Sequence, residues 1–289
     1  MRKMPPEIRH RMVRSGDLEL HCAYAGSESA DAPLVVLLHG FPAGWSTWRH
    51  QLTGLAEAGF LAVAPDLRGA GQSDKPPEVA AYRSDCFIGD VEAVARAFGR
   101  DSLALVGHDV GGGLAWATAM RKPALVSRLA ILNSVHPVGF SRQMRHLSQV
   151  RRSWYIFLFQ VPVLPEIIAG RRDLGLLRAA LLGDGLSAEA TEDLLSAVKA
   201  PAALHATINW YRASVREAIL WSSEPAKVSA PSLIVWGDRE RYLDPALADP
   251  PSDWVTNTRV VHLPEAGHWV MLDSPEKVTE LLVDHLTRG

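Results

Sequence analysis

Leu34-Val35-Val36-Leu37-Leu38 is an unbroken apolar run that stops at His39-Gly40. A run this short, with no polar alternation, reads as a strand covered on both faces, the situation of a parallel sheet packed between helices. The unit recurs. Phe60 to Pro65 leads into Asp66-Leu67-Arg68-Gly69, and Leu103-Ala104-Leu105-Val106-Gly107 and Arg128-Leu129-Ala130-Ile131-Leu132 follow. Ser232 to Trp236 and Arg259 to Leu263 complete the parallel set, while Leu18 to Ala25 alternates more and predicts an antiparallel strand near the sheet edge. Helical spacing fills the gaps over Asp85 to Phe98, stopped by Gly99, and over the small-residue stretch Gly112 to Met120. A last helix, Pro275 to Leu286, follows Ser274 as N-cap, with Pro at its first position. Strand and helix in this order predict an α/β protein with a mostly parallel sheet flanked by helices.

Between His136 and Pro225 the strand signals vanish, and Leu, Ala, Trp and Arg dominate, broken by Pro162, Pro165, Gly170 and Gly183. That is far longer than an ordinary crossover, so the expectation is a core domain of residues 1–135 and 226–289 with a helical lid over 136–225. The formal net charge of -2 leaves no electrostatic footprint for nucleic acid or anionic membrane. Eleven histidines show no Cys/His spacing that reads as a zinc site, so neither a metal nor a cofactor is expected. Cys22 and Cys86 read as small buried apolar residues rather than a disulfide. Met1 to Glu7 is basic with no apolar stretch behind it, which does not fit a conventional secretory signal. The longest apolar run, Tyr155 to Leu164, is interrupted by Gln160 and Pro162 and is too short to span a bilayer. The expectation is a cytoplasmic enzyme, monomer or homodimer.

Chemistry concentrates in the loops after the apolar runs. Gly107-His108-Asp109-Val110-Gly111-Gly112 joins a buried strand to a helix, with small residues on either side of Asp109 where a tight turn needs them. An Asp here can cap the following helix. It can also act as a nucleophile at an sp³ carbon and leave an ester, which a serine in acyl transfer does not. His39-Gly40-Phe41-Pro42 ends a neighbouring run, and the backbone N–H groups of Phe41 and Val110 are the expected oxyanion donors. Glu265-Ala266-Gly267-His268-Trp269 follows the last strand, and His268, coming last in chain order, suits a base that activates water. The acid that orients it should lie within Trp236 to Asp244, where Asp238, Glu240 and Asp244 all qualify.

Together these residues resemble the α/β-hydrolase superfamily, and specifically its Asp-nucleophile branch of epoxide hydrolases and haloacid or haloalkane dehalogenases. The resemblance runs from about Gly16 to Leu286 and includes Asp66-Leu67-Arg68-Gly69-Ala70-Gly71-Gln72-Ser73-Asp74, similar to a D-x-R-G-x-G-x-S scaffold segment. Asn209-Trp210-Tyr211-Arg212 is similar to the N-W-Y-R segment of epoxide hydrolases, and Tyr155 to Gln160 to their Y-x-x-x-F-Q segment. The resemblance implies eight strands in the sheet, and that Tyr155 and Tyr211 hold the epoxide oxygen. It also implies that the acid is the fifth residue of a W-G-x-x-D pattern, which here is Glu240 in place of the usual Asp. Haloalkane dehalogenases carry Trp after the nucleophile, where this chain has Val110. The expected reaction is hydrolysis of an epoxide to a vicinal diol through an Asp109 ester. The rivals are a dehalogenase and a non-catalytic ligand-binding protein on the same fold. Trp154, Phe157, Phe159, Trp210 and Trp221 suggest an apolar or aromatic epoxide, with Trp154, Phe159 and Trp210 the substrate contacts, or else simply pack the lid.

Overall fold

Each apolar run becomes a strand whose side chains are withdrawn from water. In the computed structural model, which describes residues 6–220 and 227–288, Leu34–Leu38 (β3), Leu61–Pro65 (β4) and Leu103–His108 (β5) are buried along their whole length. Val126–Leu132 (β6), Ser232–Gly237 (β7) and Thr258–Leu263 (β8) extend the sheet, with Arg9–Ser15 (β1) and Leu18–Ala25 (β2) at its other edge. The order is β1-β2-β4-β3-β5-β6-β7-β8, parallel from β4 to β8, with β1 and β2 paired antiparallel and β2 antiparallel to β4. Fully burying one of these Leu or Val side chains contributes on the order of 2 kcal/mol, which is why unbroken apolar runs settle here.

Arg49–Glu57 (α1) packs against Pro275–Thr287 (α11), and Ser84–Ala97 (α2) against Val110–Arg121 (α3), so two helix pairs cover the sheet. β2 is the antiparallel strand expected near the edge, and β1 pairs outside it; the exposed His10, Met12 and Arg14 of β1 alternate with Arg9, Arg11 and Val13, so no apolar run marks it. Two expectations are corrected. Ser274 precedes α11 but makes no side-chain capping bond. Cys86, expected buried, is half-exposed, whereas Cys22 is buried; both are free thiols.

Between β6 and β7 the chain forms only helices among the described residues. These are Pro137–Gln143 (α4), Leu147–Arg152 (α5), Trp154–Phe159 (α6), Leu164–Gly183 (α7), Ala188–Ser196 (α8) and Pro201–Leu220 (α9). α7 breaks at Arg171, after which Arg172, Asp173 and Leu174 all take positive φ, so its two halves wrap around a cavity instead of running straight. The expected lid boundary at residue 225, like Trp221, lies outside the described residues. No helix among the described residues is long and apolar enough to cross a membrane.

One topological fact places the chemistry. The chain leaves β3 for β4 on one side and returns to lay β5 on the other, so β3 and β5 are neighbours with Leu38 opposite Gly107. Such a switch in strand order opens a crevice at the carboxyl ends of the strands. His39-Gly40-Phe41 and His108-Asp109-Val110 therefore emerge side by side.

Candidate active site

β5 ends at His108 and α3 begins at Val110, leaving Asp109 alone in the turn at φ 50° and ψ -121°. A non-glycine residue in that region carries about 1–3 kcal/mol of strain, and persists only where its surroundings over-determine it. Here they do. The Asp109 carbonyl accepts from Ser134 Oγ at 2.6 Å and from the Gly112 and Gly113 N–H groups at 3.0 and 3.1 Å. A Cβ on Gly111 would stand 2.3 Å from the Leu38 carbonyl oxygen, and one on Gly107 would stand 2.4 Å from that of Gly111. Both obstacles are backbone and cannot rotate away. Gly111→Ala is accordingly expected to lose about 3 kcal/mol of stability, read as a lower urea midpoint; an unchanged midpoint would show that the turn can open.

The turn aims the Asp109 carboxylate at the neighbouring loop, where Oδ2 accepts the Phe41 N–H at 3.0 Å; the Val110 N–H donates to it as well. Burial pushes the Asp109 carboxyl above its ordinary range, by more than the His268 charge and the two amides pull it down. His268 enters from the loop after β8 and is 6% exposed. Its Nδ1 lies 2.7 Å from Glu240 Oε2. Glu240 also accepts from Asn133 Nδ2 on Oε2 and from the Tyr242 N–H on Oε1, each at 2.7 Å. Burial opposes the Glu240 charge, but His268 and these donors outweigh it and hold the carboxyl below the usual range. For His268, too, burial disfavours the charged form, yet Glu240 first, then Asp109 and Asp184, lift its pKa to about 9.

The other acidic side chains on the loop after β7 go elsewhere. Asp238 Oδ1 is 2.6 Å from His262 Nδ1 on the surface, and Asp244 caps the short turn that follows it, accepting from the Ala246 N–H at 3.1 Å.

Above the carboxylate is a cavity of about 160 Å³ with an almost entirely apolar lining. Asp109, His268, Tyr155 and Tyr211 all line it. The two phenol rings stand 5.8 Å apart at 85°, one carried by α6 and one by α9. Burial, then the Asp109 charge, pushes both phenols well above their ordinary pKa, so they remain O–H donors. Phe159 lines the cavity, packed on Phe41 and Tyr211 at 5.8 and 5.1 Å, and Trp154 lines it while 57% exposed.

Trp210 is a correction. It is not among the cavity residues; its indole N–H donates to the Arg68 carbonyl at 3.0 Å. Its ring packs instead on His39 and Phe87, with centroids 6.0 and 6.1 Å away. Phe157 likewise turns outward, at 52% exposed. The Asp66–Asp74 segment is scaffold: Asp66 holds the Trp45 and Gln72 N–H groups, and Arg68 pairs with Asp90 at 2.6 Å.

Four residues that sequence reasoning missed complete the surroundings. Asn133, at φ 37°, accepts from the Gly237 N–H at 2.9 Å and donates to Glu240, bridging the ends of β6 and β7. His108, one residue before Asp109, donates from Nε2 to the His268 carbonyl at 2.9 Å. Tyr242 lies with its ring centroid 4.9 Å from that of His268, and its hydroxyl donates to Asp184 Oδ2 at 2.7 Å. Asp184, at the end of α7, also accepts from Trp269 Nε1 at 3.3 Å and from Arg241 Nη1 at 3.0 Å.

Comparison with known proteins places this arrangement in a family. Residues 33–275 match the alpha/beta hydrolase fold family. A Bacillus subtilis protein described as an AB hydrolase superfamily protein is 34% identical over 96% of this chain and 98% of its own length. Epoxide hydrolase 3 of Xenopus tropicalis is 33% identical over 96% of this chain and 77% of its own. Among solved structures, an inhibitor-bound Bacillus megaterium epoxide hydrolase superposes with a TM-score of 0.87 at 27% identity, covering 96% of this chain and 100% of that one. With a carboxylate on the strained turn after β5 and these relatives across nearly its whole length, the chain belongs to the α/β-hydrolase fold family, in the group that contains the epoxide hydrolases.

Proposed function

We propose that the protein hydrolyses an apolar or aromatic epoxide to a vicinal diol through an ester on Asp109, with residues 136–225 acting as a lid over the site. The observation that carries this reading is two protonated phenols facing one buried carboxylate across an apolar cavity. Asp109 Oδ2 rests on the Phe41 N–H, so Oδ1 is the oxygen that attacks. It forms a C–O bond to one epoxide carbon as the ring C–O bond breaks. The ring oxygen takes a proton from Tyr155 or Tyr211 while the other phenol donates a hydrogen bond.

The resulting phenolate recovers its proton from the His268 imidazolium. Esterification has just removed the Asp109 charge, one of the charges that held that proton in place. Neutral His268, aligned by Glu240, then deprotonates a water that attacks the ester carbonyl carbon. The carbonyl oxygen, already at the Phe41 and Val110 N–H groups, carries the negative charge in this step; donors fixed in advance are usually the largest electrostatic contribution. Collapse releases the diol, the last proton leaves with it, and the Asp109 carboxylate again faces an imidazolium. Water is the only co-reactant.

A single turnover of styrene oxide in ¹⁸O-water tests the scheme. The diol should carry unlabelled oxygen and the label should sit in the Asp109 carboxylate. Label in the diol would mean direct attack by water, and halide release from an organohalide with no diol from any epoxide would favour dehalogenation. The phenols are tested separately. Tyr155→Phe and Tyr211→Phe should each slow ester formation by about 10- to 100-fold, the loss of one donor to a developing alkoxide, and leave ester hydrolysis nearly unchanged. A variant that forms ester at the wild-type rate assigns its ring to packing alone.

A further inference from the structure

The base is boxed by three rings, and a single lid carboxylate holds two of them. His108, Tyr242 and Trp269 stand 4.7, 4.9 and 5.3 Å from the His268 ring, centroid to centroid. Asp184, its side chain 3% exposed, takes hydrogen bonds on Oδ2 from the Tyr242 hydroxyl and Trp269 Nε1, and pairs with Arg241 on Oδ1. Arg241 donates in addition to the Gly183 carbonyl at 2.8 Å. Tyr242 is tied at its backbone too: its N–H donates to Glu240 Oε1 and its carbonyl accepts from Gln149 Nε2 of α5 at 3.0 Å. The end of α7 thus grips the acid loop after β7 and the base loop after β8 together, although Asp184 touches neither Glu240 nor His268.

Resting on the two-step reading above, we propose that Asp184 and Tyr242 form a latch through which the seated lid aligns His268 for ester hydrolysis. Asp184 is a positioning residue. A buried carboxylate with three donors is costly to leave half-satisfied, so the lid stays in register with both loops only while the contacts are complete. An imidazole acting as base must present Nε2 to water while Nδ1 keeps Glu240, and that fixes its ring plane between Tyr242 and Trp269. Attack on the epoxide uses Asp109, Tyr155 and Tyr211, none of which bonds to Asp184. Tyr242 lines the same cavity with its ring 6.2 Å from that of Tyr155, a contact that a phenylalanine ring keeps, so loss of the latch's hydrogen bonds falls on the second half-reaction.

Charge gives a second signature. The groups facing His268 are the Glu240, Asp109 and Asp184 carboxylates, Asp273 from the short helix Val270–Asp273 (α10), the buried neutral His108, and the Tyr155 and Tyr242 phenols. Asp184 is one of the carboxylates that raise the affinity of His268 for its proton. Removing its charge should make neutral His268 available at lower pH. A support role without electrostatic reach would leave that midpoint where it is.

The test is rapid quench of the intact enzyme with styrene oxide, following ester formation and ester decay by mass across pH 6–10, for wild type, Asp184→Asn and Tyr242→Phe. The expected result is ester formation within about twofold of wild type, and decay slowed by about tenfold in both variants, the equivalent of one charge-assisted hydrogen bond. The decay midpoint should move to lower pH in Asp184→Asn. Wild-type decay in both variants, or an equal fall in both steps, overturns the latch. Should Asp184→Asn fail to fold, Tyr242→Phe, which removes one oxygen atom, decides alone. Absence of ester in all three proteins and in His268→Gln sinks the functional reading and the latch with it, whereas normal ester chemistry in all three proteins sinks only the latch.

Discussion

Asp109→Asn is expected to abolish diol formation, by about 10⁴-fold or more, and to leave no covalent adduct. The amide is close to isosteric, tolerates the positive φ of this turn better than most residues, and can still accept the Phe41 N–H through its oxygen. What it lacks is an anionic oxygen to attack carbon. The same variant should melt above wild type at pH 7. Burial raises the Asp109 carboxyl above its unfolded value, so the ionised form weighs against folding at any pH above that value, and the neutral amide removes the penalty. Loss of activity with a gain of stability is the signature of a group placed for chemistry. A variant that melts lower would mean that the carboxylate supports the fold, and retained turnover would move the nucleophile elsewhere.

His268→Gln should separate the two half-reactions. Turnover is expected to fall by about 10³-fold, because the general base is gone while the attacking oxygen and both phenols remain. Intact mass should then rise by one styrene oxide per chain, and peptide mapping should put the adduct on Asp109. An adduct from an organohalide and none from any epoxide would reassign the chemistry. Linkage supplies an independent readout. The folded-state pKa of about 9 lies above the unfolded value, so the folded protein binds more protons between the two. The stability His268 contributes is therefore full below about pH 6.5 and is lost as pH rises through about 9, by roughly 3 kcal/mol at most. Wild type should melt progressively lower over that window, and His268→Gln should lose that part of the dependence.

Most of the sheet and the centre of the site were legible in the sequence, for the same physical reason. A strand buried on both faces cannot alternate, so β3, β5 and β7 announce themselves, and the residue that ends each one lands at the crevice. Asp109, Phe41 and Glu240 sit within three residues of such an ending, while His268 lies five residues beyond the half-exposed β8. β1 was illegible because an edge strand keeps half its side chains in water. Asp184, Tyr242 and Asn133 were illegible for a different reason. Their partners are 58, 85 and 107 residues away in the chain; the packing of α7 on the two loops brings Asp184 to Tyr242 and Trp269, and the pairing of β6 with β7 brings Asn133 to Glu240. Trp210 shows the reverse error. A motif names neighbours in sequence, but packing decides which of them line the cavity: Trp154 and Tyr155 both do, whereas of Trp210 and Tyr211 only Tyr211 does.

The pairing of β3 with β5 has a consequence for how such a chain can change over generations. Asp109 and the N–H groups that hold it hang from adjacent rungs of one backbone ladder, so the spacing between them is independent of every helix from α4 to α9. On the proposed reading, drift of these helices that keeps Tyr155 and Tyr211 can therefore alter which molecules reach the carboxylate without disturbing the attack itself. His268 has no such insulation, since the walls of its box are fastened to the end of α7. Grafted helices that bring both tyrosines with them should yield proteins that are alkylated readily and turn over poorly, until the junction at Asp184 is rebuilt.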